Sequence, residues 1–230
     1  MKTGGGRDAA KRRAGESAAD LATDGDLVGL GTGSTAAHAI RALGRRVDAG
    51  LDVRGVATSY QARERARDAG VPLAALDAVE TVDLAIDGAD QVAGDGAALV
   101  KGGGAAHARE KVVDAAAERF VVVVDPTKLV DALDSPVPVE VLPDARGTVV
   151  RRLRDAGGDP TLRRAERKDG PVVTDNGNLV LDADFGTIAD PGDLDARLDG
   201  VPGVVEHGLF VGLADEVHVG RDGGASVKKP

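Results

Sequence analysis

Short apolar runs with no polar alternation recur between stretches of helical composition over the first 130 residues, and this rhythm constrains the fold more than any other feature of the chain. Leu27-Val28-Gly29-Leu30 and Phe120-Val121-Val122-Val123-Val124 are the clearest, with residues 53–57, 82–86 and 97–100 behaving alike and Leu73 marking a further short strand. A strand with one wet face alternates; a strand buried on both faces does not. Between these runs, residues 8–21, 35–43, 59–69 and 105–118 are free of proline and read as helices. Buried strands alternating with helices predict an α/β fold with an open, mostly parallel, Rossmann-like sheet. Residues 1–6 read as a loose arm.

The rhythm changes where Pro136, Pro138 and Pro143 bracket an apolar run. Beyond it come a helix over 145–156, a strand over 161–165, and two runs, 172–174 and 179–181, joined by Asp175-Asn176-Gly177-Asn178. Asn-Gly between apolar runs is a hairpin signal. A helix near Leu194 and a strand near Val204 complete a β-α-β-β-α-β order, which predicts a smaller ferredoxin-like α+β unit. The apolar runs 209–213 and 217–219 lie past that unit and are expected to return to the first. The expected organisation is a Rossmann-like catalytic domain of residues 1–134 plus 209–230, with a ferredoxin-like domain of residues 135–208.

Composition removes several classes of function. The chain has no cysteine, so thiolate catalysis, disulfides and Cys-ligated zinc are excluded. His38, His107, His207 and His218 lack metal-ligand spacing, and no metal is expected. A net charge of −9 argues against nucleic acid as a partner. The basic clusters Arg151-Arg152-Leu153-Arg154 and Arg163-Arg164 through Lys168 carry no interleaved aromatics and read as solvated faces. No apolar run is long enough for a membrane span or signal peptide, so a cytoplasmic protein without membrane association is expected.

Three polar or glycine-rich loops each follow an apparent strand. They are Gly31-Thr32-Gly33-Ser34-Thr35, Asp87-Gly88-Ala89-Asp90 and Lys101-Gly102-Gly103-Gly104. Loops at the carboxyl ends of one parallel sheet converge on one cleft. The first loop fits the dinucleotide pattern as Gly31-x-Gly33-x-x-Ala36, which keeps a nicotinamide enzyme under consideration. The next strand, however, ends in Ala57-Thr58-Ser59 rather than in the acidic residue that would hold a ribose. The Ser34 and Thr35 hydroxyls at a helix start suit a single phosphate better. Asp87 alone reads as an Asx-turn carboxylate, and Lys101 alone as a surface lysine. Together the pair Asp87 and Asp90 suits a polyol, and Lys101 beside three glycine amides at a helix N-terminus suits a developing oxyanion. Glu110, two turns into that helix, is placed to act as a base.

These residues, with Arg109-Glu110-Lys111, Pro138-Val139-Glu140-Val141, Val172–Asn178 and Pro202-Gly203-Val204-Val205, resemble the type A ribose-5-phosphate isomerase family over nearly the whole chain. The resemblance implies cofactor-free interconversion of ribose 5-phosphate and ribulose 5-phosphate in the pentose phosphate pathway, in a homodimer or homotetramer. It assigns Glu110 as catalytic base, with Asp87 and Lys101 assisting. It assigns the sugar phosphate substrate to Thr32, Gly33, Ser34, Thr35, Asp87, Gly88, Ala89, Asp90, Lys101, Gly102, Gly103, Gly104 and Lys128, with Lys11 reaching the phosphate. His107-Ala108 departs from the Leu-Thr often found before the family's Arg-Glu. Deaminating isomerases of amino sugars and sugar-phosphate sensor domains are related alternatives, and a sensor would need a DNA-binding segment for which the chain before Asp8 leaves no room.

Overall fold

The computed structural model describes residues 8–94, 96–167 and 169–230, so the arm expected over 1–6 and Lys168 of the second basic cluster lie outside the described residues. Helix α1 (Asp8–Ala19) leads into β1 (Leu27–Leu30), α2 (Ala36–Asp48), β2 (Arg54–Ala57), α3 (Tyr60–Asp68), β3 (Leu73–Ala74), β4 (Leu84–Gly88) and β5 (Gln91–Ala93). There follow β6 (Ala98–Val100), α4 (His107–Ala115), β7 (Phe120–Val124), β8 (Leu129–Val130), β9 (Val137–Val141), α5 (Arg146–Asp155) and β10 (Asp159–Leu162). The chain closes with β11 (Leu179–Asp184), α6 (Pro191–Asp199), β12 (Val204–His207), β13 (Leu209–Val211), β14 (Glu216–Arg221) and β15 (Gly224–Lys228).

The central sheet has seven strands in the order β3-β2-β1-β4-β7-β14-β15, parallel throughout except for β15, which pairs antiparallel with β14. Its strands are apolar on both faces because both faces are covered. In β7, Val121 and Val123 join the cluster built on α1 and α2, while Phe120, Val122 and Val124 join the cluster on the opposite side. The winding reverses between β1 and β4, which pair through Val28↔Leu84 and Leu30↔Ile86. At such a reversal the connections leave in opposite directions and open a crevice at the carboxyl ends of the strands.

A second sheet, β10-β11-β9-β12, is antiparallel at every pairing, with α5 and α6 packed on the face that carries Val137, Val139 and Val141. This is the ferredoxin-like order. Residues 172–174 do not form the strand expected of them; Val173 makes only an isolated bridge to Leu179. The side chains of Thr174, Asn176 and Asn178 all donate instead to Oε1 of the buried Glu140, at 2.9, 3.0 and 2.8 Å, and curl the segment around that carboxylate.

Between these layers lies a third sheet, β13-β6-β5-β8. It is a wedge: Leu99 and Phe210 face the core of the central sheet, whereas Ala98, Val100 and Leu209 face that of the second. Strand β14, by contrast, returns to the central sheet beside β7.

Helix α1 seats against β14 and α2 through small residues, with Ala10, Ala14, Gly15, Ala18 and Ala19 all buried. A Cβ at Gly220 of β14 would lie 1.8 Å from the Ala10 carbonyl oxygen, and backbone on both sides leaves no flexible group to yield. Gly220→Ala is therefore expected to cost about 1–3 kcal/mol through overpacking. Urea unfolding reads this as a lowered midpoint, and an unchanged midpoint would show that α1 does not sit on β14 as described.

Candidate active site

The crevice at the β1/β4 reversal opens into a cleft of about 1220 Å³. Two of its loops leave the parallel sheet, after β1 and β4. The third, Lys101–Gly104, leaves β6 of the wedge sheet, so the expectation that all three loops leave one sheet is corrected. Lys11, Thr32, Gly33, Ser34, Thr35, Gly88, Ala89, Asp90, Lys101, Gly102, Gly103, Gly104, Glu110 and Lys128 all line the cleft. Asp87 is fully buried beneath it.

Asp87 ends the buried part of β4, and its Oδ1 accepts from the amides of Thr32 at 3.0 Å and Gly88 at 2.7 Å. It thereby ties the end of β4 to the loop after β1. That loop begins with glycine for a steric reason: a Cβ at Gly31 would lie 2.0 Å from Asp87 Oδ1. The other oxygen, Oδ2, pairs with Lys101 Nζ at 2.7 Å. Lys101 is only 1% exposed, and its ammonium also donates to the Gly88 carbonyl at 2.7 Å. Glu110 Oε2 lies 3.4 Å from the same nitrogen and Asp114 Oδ2 3.6 Å from it. The rings of Phe120 and Phe210 close over the ammonium with centroids at 5.9 and 5.1 Å. Lys101 is thus a buried counter-charge in the cleft floor and not the surface lysine that its sequence position alone would suggest.

Burial raises Glu110 to about 8, with Asp87 adding to the rise and Lys101 opposing it. Asp114, one helical turn on, is also raised well above its ordinary range by burial, and neither of its oxygens has a hydrogen-bond donor among the described residues. Burial also pushes the Asp87 carboxyl up, against the pull of Lys101 and the two amides. For Lys101, burial works against the charge, but Asp87, Glu110 and Asp114 outweigh it and raise its proton affinity. Raised to about 8, Glu110 is largely protonated at neutral pH and ionises just above it, as suits a proton-transfer group.

The glycine run has a defined path. Gly102 has φ +100°, and a Cβ there would meet the His107 ring at 2.8 Å. His107 is fully buried, with Nε2 3.3 Å from the Glu206 carbonyl, and burial lowers it to about 3. It is a neutral packing residue beneath the loop. The Gly103 amide, expected to face the ligand, donates to Asp90 Oδ2 at 2.7 Å, so Asp90 is held over the loop. At the far end, Lys11 Nζ lies 3.2 Å from Ser34 Oγ, which joins α1 to the loop that starts α2. Thr32 Oγ1 bonds the hydroxyls of Thr58 and Ser59 at 2.9 and 2.7 Å.

Several cleft residues fall outside the sequence-based set. Ser59 comes from the β2–α3 connection, Gln61 and Arg65 from α3, and Arg163, Arg164 and Asp175 from the segment between β10 and β11 of the second sheet. The reading of Arg163 as part of a solvated face is corrected: its side chain is 11% exposed, paired with Asp182 and bonded to the Gly102 carbonyl at 2.8 Å. Arg151, Arg152 and Arg154 are exposed as expected. The signal for Asp114 lay in its i+4 spacing from Glu110, which puts both carboxylates on one helix face.

Comparison with known proteins agrees with this geometry. Residues 54–224 match the family model of ribose 5-phosphate isomerase A (phosphoriboisomerase A). The chain is 66% identical to ribose-5-phosphate isomerase A of Halorubrum lacusprofundi, with all of both chains covered, and 68% identical to that of Haloarcula marismortui over 97% of each. Among solved structures, ribose 5-phosphate isomerase A of Methanocaldococcus jannaschii is 44% identical with a TM-score of 0.91 over 96% of this chain and 98% of that one. A D-ribose-5-phosphate isomerase in complex with phospho-erythronic acid is 42% identical with a TM-score of 0.92, covering 96% and 97%. The chain belongs to the ribose 5-phosphate isomerase A family.

Proposed function

We infer that this chain interconverts D-ribose 5-phosphate and D-ribulose 5-phosphate, and that Glu110 carries the proton. The observation that supports this role is a carboxylate 4% exposed at the cleft floor, 3.4 Å from a buried ammonium and titrating at about 8. In the open-chain aldose the C1 carbonyl acidifies the C2 proton. Glu110 takes that proton and becomes neutral, while the electron pair forms the C1–C2 double bond of an enediolate and the charge moves to O1. Returning the proton to C1, with the O2 proton passing to O1, gives the ketose with no atom gained or lost.

The same carboxylate serves both half-reactions, and Lys101 stands beside it as the charge leaves Glu110 for the enediolate. Asp90, which lines the cleft, is the acceptor for substrate hydroxyls, while Asp87, buried beneath the floor, assists by holding Lys101 in place. The phosphate is assigned to the start of α2, where Gly33, Ser34 and Thr35 meet Lys11, and Lys128 lines the same cleft. Amide groups at a helix start and a nearby ammonium favour a dianion. The related structure with phospho-erythronic acid, an open-chain sugar-acid phosphate, supports a ligand of this kind. No organic cofactor or metal enters these steps. We further place the enzyme in the non-oxidative branch of the pentose phosphate pathway, as a cytoplasmic homodimer or homotetramer, on the ground of its family membership. Residues 135–208 are proposed as a distinct unit that brings Arg163 and Asp175 to the cleft.

Glu110→Gln is expected to lower kcat by about 10² to 10⁴, the usual contribution of a general base, with KM changed much less. Solvent deuterium then ceases to enter ribose 5-phosphate, and undiminished exchange in this variant would remove Glu110 from the chemistry. Because the base must be ionised and burial raises it to about 8, kcat/KM should fall with decreasing pH below that point, by about tenfold per unit, and level above it. A profile flat from pH 6 to 9 would contradict the assignment. Lys101→Met, assayed on folded protein, should lower kcat more than it raises KM, since the charge it balances moves during the reaction. A pure KM effect would make Lys101 a binding residue instead.

A further inference from the structure

The steps above draw on loops after β1, β4 and β6 and make no use of the second sheet. Arg163, just beyond β10, nevertheless reaches the glycine loop. Its guanidinium holds Asp182 through both carboxylate oxygens, with Nε 2.9 Å from Oδ2, and its Nη1 donates to the Gly102 carbonyl at 2.8 Å. The peptide that offers this carbonyl also carries the Gly103 N–H, which donates to Asp90 Oδ2 at 2.7 Å. One unbroken chain of bonds therefore runs from the Asp182 carboxylate through a guanidinium and a single peptide group to the Asp90 carboxylate in the cleft.

Each link strengthens the next. A cation on a carbonyl oxygen polarises the amide and makes its N–H a better donor, and charge-assisted bonds are the strong ones. Rotation of the Gly102–Gly103 peptide would break the bonds at both of its ends. Glycine is required at both positions: Gly102 has φ +100°, and a Cβ on Gly103 would lie 2.7 Å from Asp90 Oδ1. We infer that Arg163 is a positioning residue for the isomerisation, setting the Gly102–Gly103 peptide and, through it, the Asp90 carboxylate against the hydroxyls of the substrate. This rests on the isomerase reading of the cleft.

A guanidinium that merely tied the second sheet to the loop would affect stability and leave the chemistry alone. The two roles separate in a double-mutant cycle of Arg163→Met and Asp90→Asn, with kcat and KM for ribose 5-phosphate measured beside the thermal midpoint. Arg163→Met should lose on the order of 10²-fold in kcat, the scale of a misplaced reactive geometry. Adding Asp90→Asn should then cost far less than it does alone, because the two residues act in series. Millimolar guanidinium should restore part of the activity of Arg163→Met and none of that of Asp90→Asn. Arg163→Lys should stay impaired, because one ammonium cannot reproduce the planar fork. Losses that multiply, a fully active Lys or Met variant, or absence of guanidinium rescue would each overturn the inference. Should Arg163→Met not fold, Asp182→Asn, which leaves the guanidinium in place without its anchor, carries the same cycle. A folded wild-type protein inactive on ribose 5-phosphate would defeat the isomerase reading itself; an active one with independent losses defeats only the role of Arg163.

Discussion

Everything in the cleft is organised around one buried cation. The Lys101 ammonium, with almost no solvent contact, takes Asp87 from the end of β4, the Gly88 carbonyl, and the carboxylates of Glu110 and Asp114 from α4. Removing an ion from water is costly, and only close partners offset it. The arrangement therefore exists only when the central sheet, the wedge sheet and α4 have all docked. Deleting one partner of a buried pair costs about 3–5 kcal/mol in general, because the other charge is left behind. Fold and chemistry are thus joined at this one nitrogen.

One ammonium cannot balance three ionised carboxylates in a dry site, and the geometry ranks them. Asp87 has two amide donors besides Lys101, and these oppose the rise that burial imposes on it. Asp114 has no hydrogen-bond donor on either oxygen among the described residues, and burial raises it well above the usual carboxyl range. Glu110 stands between these extremes, facing the cleft at 4% exposure. It can lose and regain a proton without displacing the other two. The group titrates as a set, so the proton affinity of Glu110 is a property of the four residues together. His107 contributes by staying neutral beneath the glycine loop, adding no competing charge.

What could be read from the chain follows from how far each signal extends along it. Strands β1, β4 and β7 were legible because a strand covered on both faces is continuously apolar, and the polar loops at their ends stand out by contrast. The wedge sheet was not, since β5 and β8 are only three and two residues long and show no period. Asn176 and Asn178 read as turn residues and Thr174 as the end of a strand, and nothing local says that Glu140 of a distant strand gathers their side chains. Arg163 misled for a similar reason. Its neighbour Arg164 is exposed, and only tertiary contact with Asp182 and Gly102 separates the two. The Thr58-Ser59 pair was noticed for what it lacks, an acidic ribose ligand, while its bonds to Thr32 depend on the juxtaposition of β1 and β2.

The fold places this cleft where dinucleotides bind in other open sheets, and its first loop carries a matching glycine pattern, yet the residues are committed to a different use. In a dinucleotide site the first glycine makes the tight turn and the second lets backbone approach a pyrophosphate. Here the space above Gly31 is filled by Asp87 Oδ1, a carboxylate that also takes the Thr32 amide. The end of β2, where an acidic side chain would hold a ribose, instead presents Thr58 and Ser59, whose hydroxyls are taken up by Thr32. What remains available to an anion is the start of α2, flanked by Ser34 and Lys11. That position opens into the same cleft that Asp90, the glycine loop and Glu110 line. The same sheet topology serves both kinds of site, and here the hydroxyl-bearing end of β2, with no acid to hold a ribose, sets this cleft apart.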